Sequence, residues 1–441
     1  MRSTRSISLI KVFLSLYKRV VLRDMKQVFS FIFFSVCFSI LWADQLNHKN
    51  SPKASELFLQ AETAFQSNQW ETSLSLFNQV IEINPESVAA WVGMGLSLNH
   101  LGLYRRAIEP IQQAALLEPN DATIHAMLAQ TYLKNRQYVQ ADTWYQKAIK
   151  MHLENAPVSW YLDLGFIETQ LGNLEKARRY YLVAVQLYPR SVAAYQNLGI
   201  LLLNQNRLDE ADACFYTVLS IQKDIGAALF GQGEVAFKRT DYTQAIVFYR
   251  RAIEREPKIP QYHRAMGQTL LRLGKALEGS QYLAKSKRLR AEQFRHEAHR
   301  SARQKDWPQV ISKLKLAMER DPTYLSALED LAYVYAQQER LSLAESVLSN
   351  GLMRVKDWAP GYWQRGEVRF RLRNYDLAEI DLRKAIELAP SAAPPKFALA
   401  RLLLEQRKSL MEALELAETV NRLTPKPEHY QLWLDVKNYI D

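Results

Sequence analysis

Two short stretches of this 441-residue chain carry residues that could do chemistry. His296 and His299, in HEAH, stand three apart, so on a helix they share a face and could hold a metal ion weakly. A zinc-hydrolase helix needs its histidines four apart, and solvated or partner-facing histidines fit this spacing as well. GQGEVA, from Gly231, has part of the spacing of a dinucleotide-binding turn, but no strand pattern precedes it and Gly233 has a packing role described below. Cys214 lies in the apolar run ADACFYTVL, where a small buried core residue is expected. There is no P-loop, no nucleophile elbow and no carboxylate pair at a recognisable spacing. The expectation is a chain that is not an enzyme and carries neither cofactor nor metal.

These residues sit in a chain with a strong internal period. Pro85 and Pro119 are thirty-four residues apart. The same step leads from Pro189 past Lys223 to Pro257, and from Pro322 past Lys356 to Pro390. Twelve residues before each proline position stand Ala107, Ala141, Ala177, Ala211, Ala245, Ala344, Ala378 and Ala413. Twenty-four before stand Gly95, Ala129, Gly165, Gly199, Gly233, Gly267, Ala298, Ala332 and Gly366. Eight before, large residues recur, among them Phe77, Ile111, Tyr145, Phe215, Tyr249, Leu283 and Leu382. Fifteen before, the turn carries Trp70, Tyr104, Tyr138, Tyr242, Trp307 and Tyr375. Small residues let two antiparallel helices approach, large ones fill the grooves, and proline stops the second helix.

Several positions recurring together resemble the tetratricopeptide repeat family over residues 54–427. The resemblance implies an all-α, right-handed superhelical solenoid of about eleven helix-turn-helix repeats, closed over 428–441 by a capping helix whose polar outer face shields the last apolar edge. Two places depart from the period. MHLENAPVSW holds two extra residues, which predicts a kink near Asn155 (irregularity over 153–157). The step from Pro257 to Pro322 is sixty-five, three short of two units, with Gly279 and Val310 in the alanine seats. The irregular stretch 279–310 is therefore either one long helix or a tightened join.

Hydrophobic residues make up 48% and charged residues 23%, which excludes a disordered chain. The formal charge of +11 is concentrated at the start. Residues 1–43 carry seven Lys or Arg against Asp24, leaving +5 for the remainder, so the total makes no case for nucleic acid as a partner. From Met25, the stretch reads as a leader: Lys26, the apolar run Val28 to Leu41 and a small-residue exit at Ala43, followed by a linker over 44–53. As a helix, residues 28–43 span about 24 Å, short of the roughly 30 Å hydrocarbon core. A cleaved signal peptide and an exported, periplasmic or envelope-associated protein are expected. The alternative is an uncleaved anchor that associates with the membrane through residues 28–43.

In the resembled family, the first helix of each unit lines a concave face. The positions this implies are Phe166, Phe230, Glu234, Phe237, Arg264, Gln268, Arg295, His299, Tyr333, Trp363 and Glu367. Residues 260–321 hold fourteen Lys or Arg against six Asp or Glu, so this segment is locally basic, though such charge often lies on solvated outer faces. No first helix carries the Lys and Asn four apart with which some relatives grip a C-terminal carboxylate. The expected function is a scaffold whose groove binds a protein or peptide segment during assembly of a cell-envelope, secretion or polysaccharide-export complex. A membrane-tethered adaptor of an envelope enzyme and a direct binder of an anionic polymer through 260–321 are the alternatives.

Overall fold

The computed structural model describes residues 52–152 and 156–440, and every regular element among them is an α-helix. The expected leader, the linker up to residue 51 and the kink at Asn155 fall outside the described residues. No helix among the described residues is long and apolar enough to cross a membrane. The chain divides into two compact units at Pro257/Lys258.

The first unit contains α1 (Pro52–Gln66), α2 (Trp70–Ile83), α3 (Val88–His100), α4 (Tyr104–Leu117), α5 (Ala122–Lys134), α6 (Tyr138–Met151), α7 (Val158–Leu171), α8 (Leu174–Leu187), α9 (Val192–Asn204), α10 (Leu208–Ile221), α11 (Gly226–Lys238) and α12 (Tyr242–Arg255). Each packs on its sequence neighbours. The alternation of short turns follows from local chemistry. Trp70, Tyr104, Tyr138 and Tyr242, expected from their spacing in the turns, are instead the first residues of second helices. The turn before each such helix contains one residue in the left-handed region, such as Gly102 (φ 77°) or Thr240 (φ 61°), and this reverses the chain in three residues. Ser87, Asp121 and Ser191 cap the first helices that follow them by accepting backbone N–H groups.

Packing within a pair is a knob on a small seat. Tyr249 of α12 rests on Gly233 of α11, where a built Cβ would lie 2.5 Å from the ring. Phe215 touches both Gly199 of its own pair and Gly231 of the next. The glycines of GQGEVA are thus seats for aromatic rings. All eight periodic alanines, from Ala107 to Ala413, are fully buried. Most of the periodic large side chains are buried too, each worth about 1.5–3 kcal/mol of apolar burial. Leu283 is the exception and is only half-buried. Cys214 is buried in the α10 core, and burial pushes its thiol up to about 11, so the residue is inert.

The second unit contains α13 (Pro260–Arg272), α14 (Ala276–Arg303), α15 (Trp307–Arg320), α16 (Leu325–Gln337), α17 (Leu341–Arg354), α18 (Ala359–Arg371), α19 (Tyr375–Leu388), α20 (Ala393–Glu405), α21 (Leu410–Leu423) and α22 (Pro427–Ile440). The sixty-five-residue step resolves into one long helix. α14 runs for 28 residues, about 42 Å, and serves as the second helix against α13 and the first against α15. Between Gly279 and Arg303 it has neither proline nor glycine and is rich in Arg, Lys, Ala, Leu and Glu, so nothing interrupts the helix where other units turn. α22 packs on α21 through Leu432 and Val436, while Glu428, Gln431, Asp435, Lys437 and Asn438 face outward.

Candidate functional site

The positions expected to line a groove stand three before, one after and four after the small seat of each first helix. Such steps fall on one helix face, about a turn apart. In the first unit the protein itself uses much of that face. Phe230, expected in the groove, is instead buried, its ring 5.6 Å from Tyr249. Phe230 stands in the same register as Trp363, three before the seat, so its burial comes from the Tyr249 ring packed beside it and not from a change of phase. Glu234 accepts a 2.6 Å hydrogen bond from the Tyr249 hydroxyl; burial and this carboxylate hold the phenol far above its ordinary range. Phe237 packs 5.4 Å from Tyr242, and Phe166 is half-buried on α7.

In the second unit the expected residues divide into three places. On α13, Gln268 is exposed and Arg264 half-buried, its Nε without a partner in the protein. On α14, Arg295 donates to Asp330 at 2.6 Å, and the His299 Nε2 lies 2.7 Å from the same carboxylate. Asp330 holds the Arg295 guanidinium well above its usual range. Both are therefore engaged by an acid on α16, and so are Arg288 by Asp321 and Lys313 by Glu297. The basic stretch 260–321 is in part an ion-paired surface. Among the described residues no group of three or more His, Cys, Asp or Glu could hold a metal.

Tyr333, Trp363 and Glu367 come together. They line one cavity of about 530 Å³ formed by α16, α18, α20 and the end of the chain. Its other walls were not foreseen: Phe397 and Arg401 of α20, Arg371 of α18, Lys426, and His429 of α22. Arg401 pairs with Glu367 at 2.7 Å, and its guanidinium lies 4.7 Å from the Phe370 ring. His429 is buried, its ring 4.9 Å from Phe397 and its Nδ1 2.6 Å from the Thr424 carbonyl. Tyr333 is 63% exposed at the mouth. The missing signal was available: thirty-four residues beyond Trp363 and Glu367 stand Phe397 and Arg401. Counting back from Pro425 hides it, because the α20–α21 turn holds one extra residue and two left-handed positions, Arg407 and Ser409.

Tetratricopeptide repeat profiles match residues 58–123, 126–192, 180–213, 197–263 and 359–391. A protein O-mannosyl-transferase of Homo sapiens, TMTC3, is 22% identical over 389 residues, which is 83% of this chain and 42% of that protein. The chain thus spans less than half the length of that relative. The type IV pilus assembly protein PilF of Pseudomonas aeruginosa is 26% identical over 166 residues, 37% of this chain and 65% of PilF. The solved structure of PilF is 20% identical, with a TM-score of 0.39, and covers 47% of this chain and 90% of that one. With paired helices, small seats under large knobs and these matches along both units, the chain belongs to the tetratricopeptide repeat family, whose members act as scaffolds that bind protein or peptide partners.

Proposed function

We propose that this protein is a non-enzymatic scaffold that holds a segment of a protein partner on the first-helix face of its second unit, in assembly of a cell-envelope, secretion or polysaccharide-export complex. One observation carries the reading. Three groove positions implied by the family resemblance, Tyr333, Trp363 and Glu367, line a single cavity whose size is within the roughly 300–1,000 Å³ of ordinary ligand sites. Aromatic anchors in such a concavity are the side chains that most often dominate binding energy. The transferase activity named for TMTC3 is not carried over, because the aligned region is 42% of that protein. The likeness to a pilus assembly protein and the apolar run Val28–Leu41 after Lys26 support the envelope setting.

Affinity capture with the full chain tests the site. Phe397→Ala should lose the captured partner while circular dichroism stays unchanged; a partner retained by that variant would place the site elsewhere. Mass spectrometry of the mature N-terminus tests the setting: a chain beginning at Asp44 supports export by a cleaved leader. An intact Val28–Leu41 segment would favour the second reading, a membrane-tethered adaptor. Direct binding of an anionic polymer is weakened by the acids already paired with Arg288, Arg295 and Lys313. That reading requires affinity to collapse with salt and on reversing Arg264 and Arg295.

A further inference from the structure

The cavity of the second unit has an unmet hydrogen-bond pattern. Trp363 Nε1 and Arg401 Nε are donors, Gln364 Oε1 is an acceptor, all three atoms are buried, and none has a hydrogen-bond partner in the protein. Buried polar atoms are normally paired, so three exceptions around one cavity call for an explanation at that cavity. Arg401 is held by its bond to Glu367 and its stacking near Phe370, which fixes the direction of its Nε–H. Two donors beside one acceptor complement an amide, whose carbonyl accepts twice and whose N–H donates once.

Wall chemistry narrows the occupant. The three cations of the lining each have an acid partner, Arg401 with Glu367 at 2.7 Å, Arg371 with Glu339 at 3.0 Å and Lys426 with Glu428 at 3.9 Å, so charge selects no sign of ligand. Ala336, Val368, Ala393, Pro394 and Phe397 supply an apolar wall. A sugar would bring more hydroxyls than three unmet atoms can pair, leaving some buried without partners. A peptide brings one amide per residue and can place an apolar side chain against Phe397.

We infer that the cavity binds an extended peptide segment, reading one backbone amide with Trp363, Gln364 and Arg401 and seating the adjacent apolar side chain against Phe397. This deepens the scaffold reading and rests on its choice of site.

The test is selection of a random-peptide display library on the full chain, followed by affinity measurement of the enriched peptides. Enriched sequences should share an apolar residue, and binding should vanish on Phe397→Ala. Trp363→Phe removes the N–H while keeping the ring packing, and should weaken binding about fivefold. N-methylation at one backbone position of the peptide should weaken it by a similar factor or more, and alginate, a polyuronate, should not compete. Affinity indifferent to both Trp363→Phe and N-methylation at every position would overturn the amide reading. If Phe397→Ala still abolished binding in that case, the scaffold reading would survive. Displacement by alginate would overturn the peptide assignment. No enrichment, or enrichment indifferent to Phe397→Ala, would overturn both.

Discussion

The two units handle a carboxyl packed between helices in opposite ways. In the first unit, Asp163 of α7 lies against Tyr145, whose hydroxyl donates at 2.6 Å, and burial pushes the carboxyl up to about 6 despite that bond. In the second unit, Asp381 of α19 is almost wholly buried and receives three guanidinium hydrogen bonds, two from Arg365 at 2.7 and 2.8 Å and one from Arg369 at 2.9 Å. Arg365 stands where Leu128, Leu164, Leu198 and Leu331 stand in other pairs. Glu297 occupies the same seat on α14 and meets Lys313 at 2.8 Å, which repeats the pair with charges exchanged. The period therefore fixes a steric seat, and two chemistries can fill it: leucine packing, or an ion pair whose value depends on both partners being present.

The largest effect should come from splitting that pair. Asp381→Ala leaves the largely buried Arg365 without a carboxylate, while Arg369 keeps Glu345 at 2.8 Å, and should destabilise the second unit by about 3 kcal/mol. Replacing Arg365 and Asp381 together by leucine should cost far less, because it restores the chemistry of the other pairs. Hydrogen exchange across α18 and α19 measures both, since a repeat array need not unfold in one step. Equal losses for the single and double variants would show that the seat is not interchangeable.

This contrast also marks what could be read from the residues. Ala107 and its periodic equivalents, the recurring aromatic residues and the proline stops were legible because steric seats repeat at a fixed step. The ion pairs were not, because charge at a seat follows no period: Arg295 and His299 were expected to face a partner, and Asp330, on another element, engages both. Phe397 and Arg401 were hidden by one inserted turn residue near Ser409, which moved the local phase by one.

A second prediction sharpens the carboxyl comparison by pH. The folded pKa of Asp163 is raised from an ordinary 3.8 to about 6. Below pH about 4 the carboxyl is neutral in both states and costs nothing; between about 4 and 6 the unfolded chain releases its proton first. Stability of the first unit should thus fall as pH rises through this window, by up to about 3 kcal/mol. Asp163→Asn keeps an acceptor for Tyr145 and should flatten the fall, leaving the variant more stable above pH 6. Urea denaturation at pH 4 and pH 7 checks it, and parallel curves for the two proteins would refute the assignment.

The knob-on-seat rule allows a third comparison. Gly233→Ala places a methyl 2.5 Å from the buried Tyr249 ring, whose hydroxyl is tied to Glu234 and leaves little room to yield. The loss should be about 1–3 kcal/mol. Alanine already fills the matching seat elsewhere, Ala332 opposite Leu348 and Ala129 opposite Tyr145, so the cost belongs to how closely this knob sits on its seat and not to the seat residue alone. Pairing Gly233→Ala with Tyr249→Leu should recover part of the loss, and the double variant read by thermal unfolding measures how much.

The smallest effect separates backbone from side chain. Thr240 in the first unit and Gly274 in the second occupy the same turn position with φ of 61° and 77°. A β-branched residue there carries left-handed strain of roughly 1–2 kcal/mol, while glycine carries a larger entropy loss on folding of about 0.5–1 kcal/mol. The difference favours glycine, so Thr240→Gly should stabilise the first unit by up to about 1 kcal/mol, and Gly274→Thr should destabilise the second by a similar amount. Nothing lies within 4 Å of a Cβ built on Gly274, so any loss there comes from the backbone and not from a clash. Chemical denaturation resolves a change of this size, and opposite signs for the two variants are required if one turn geometry serves both units.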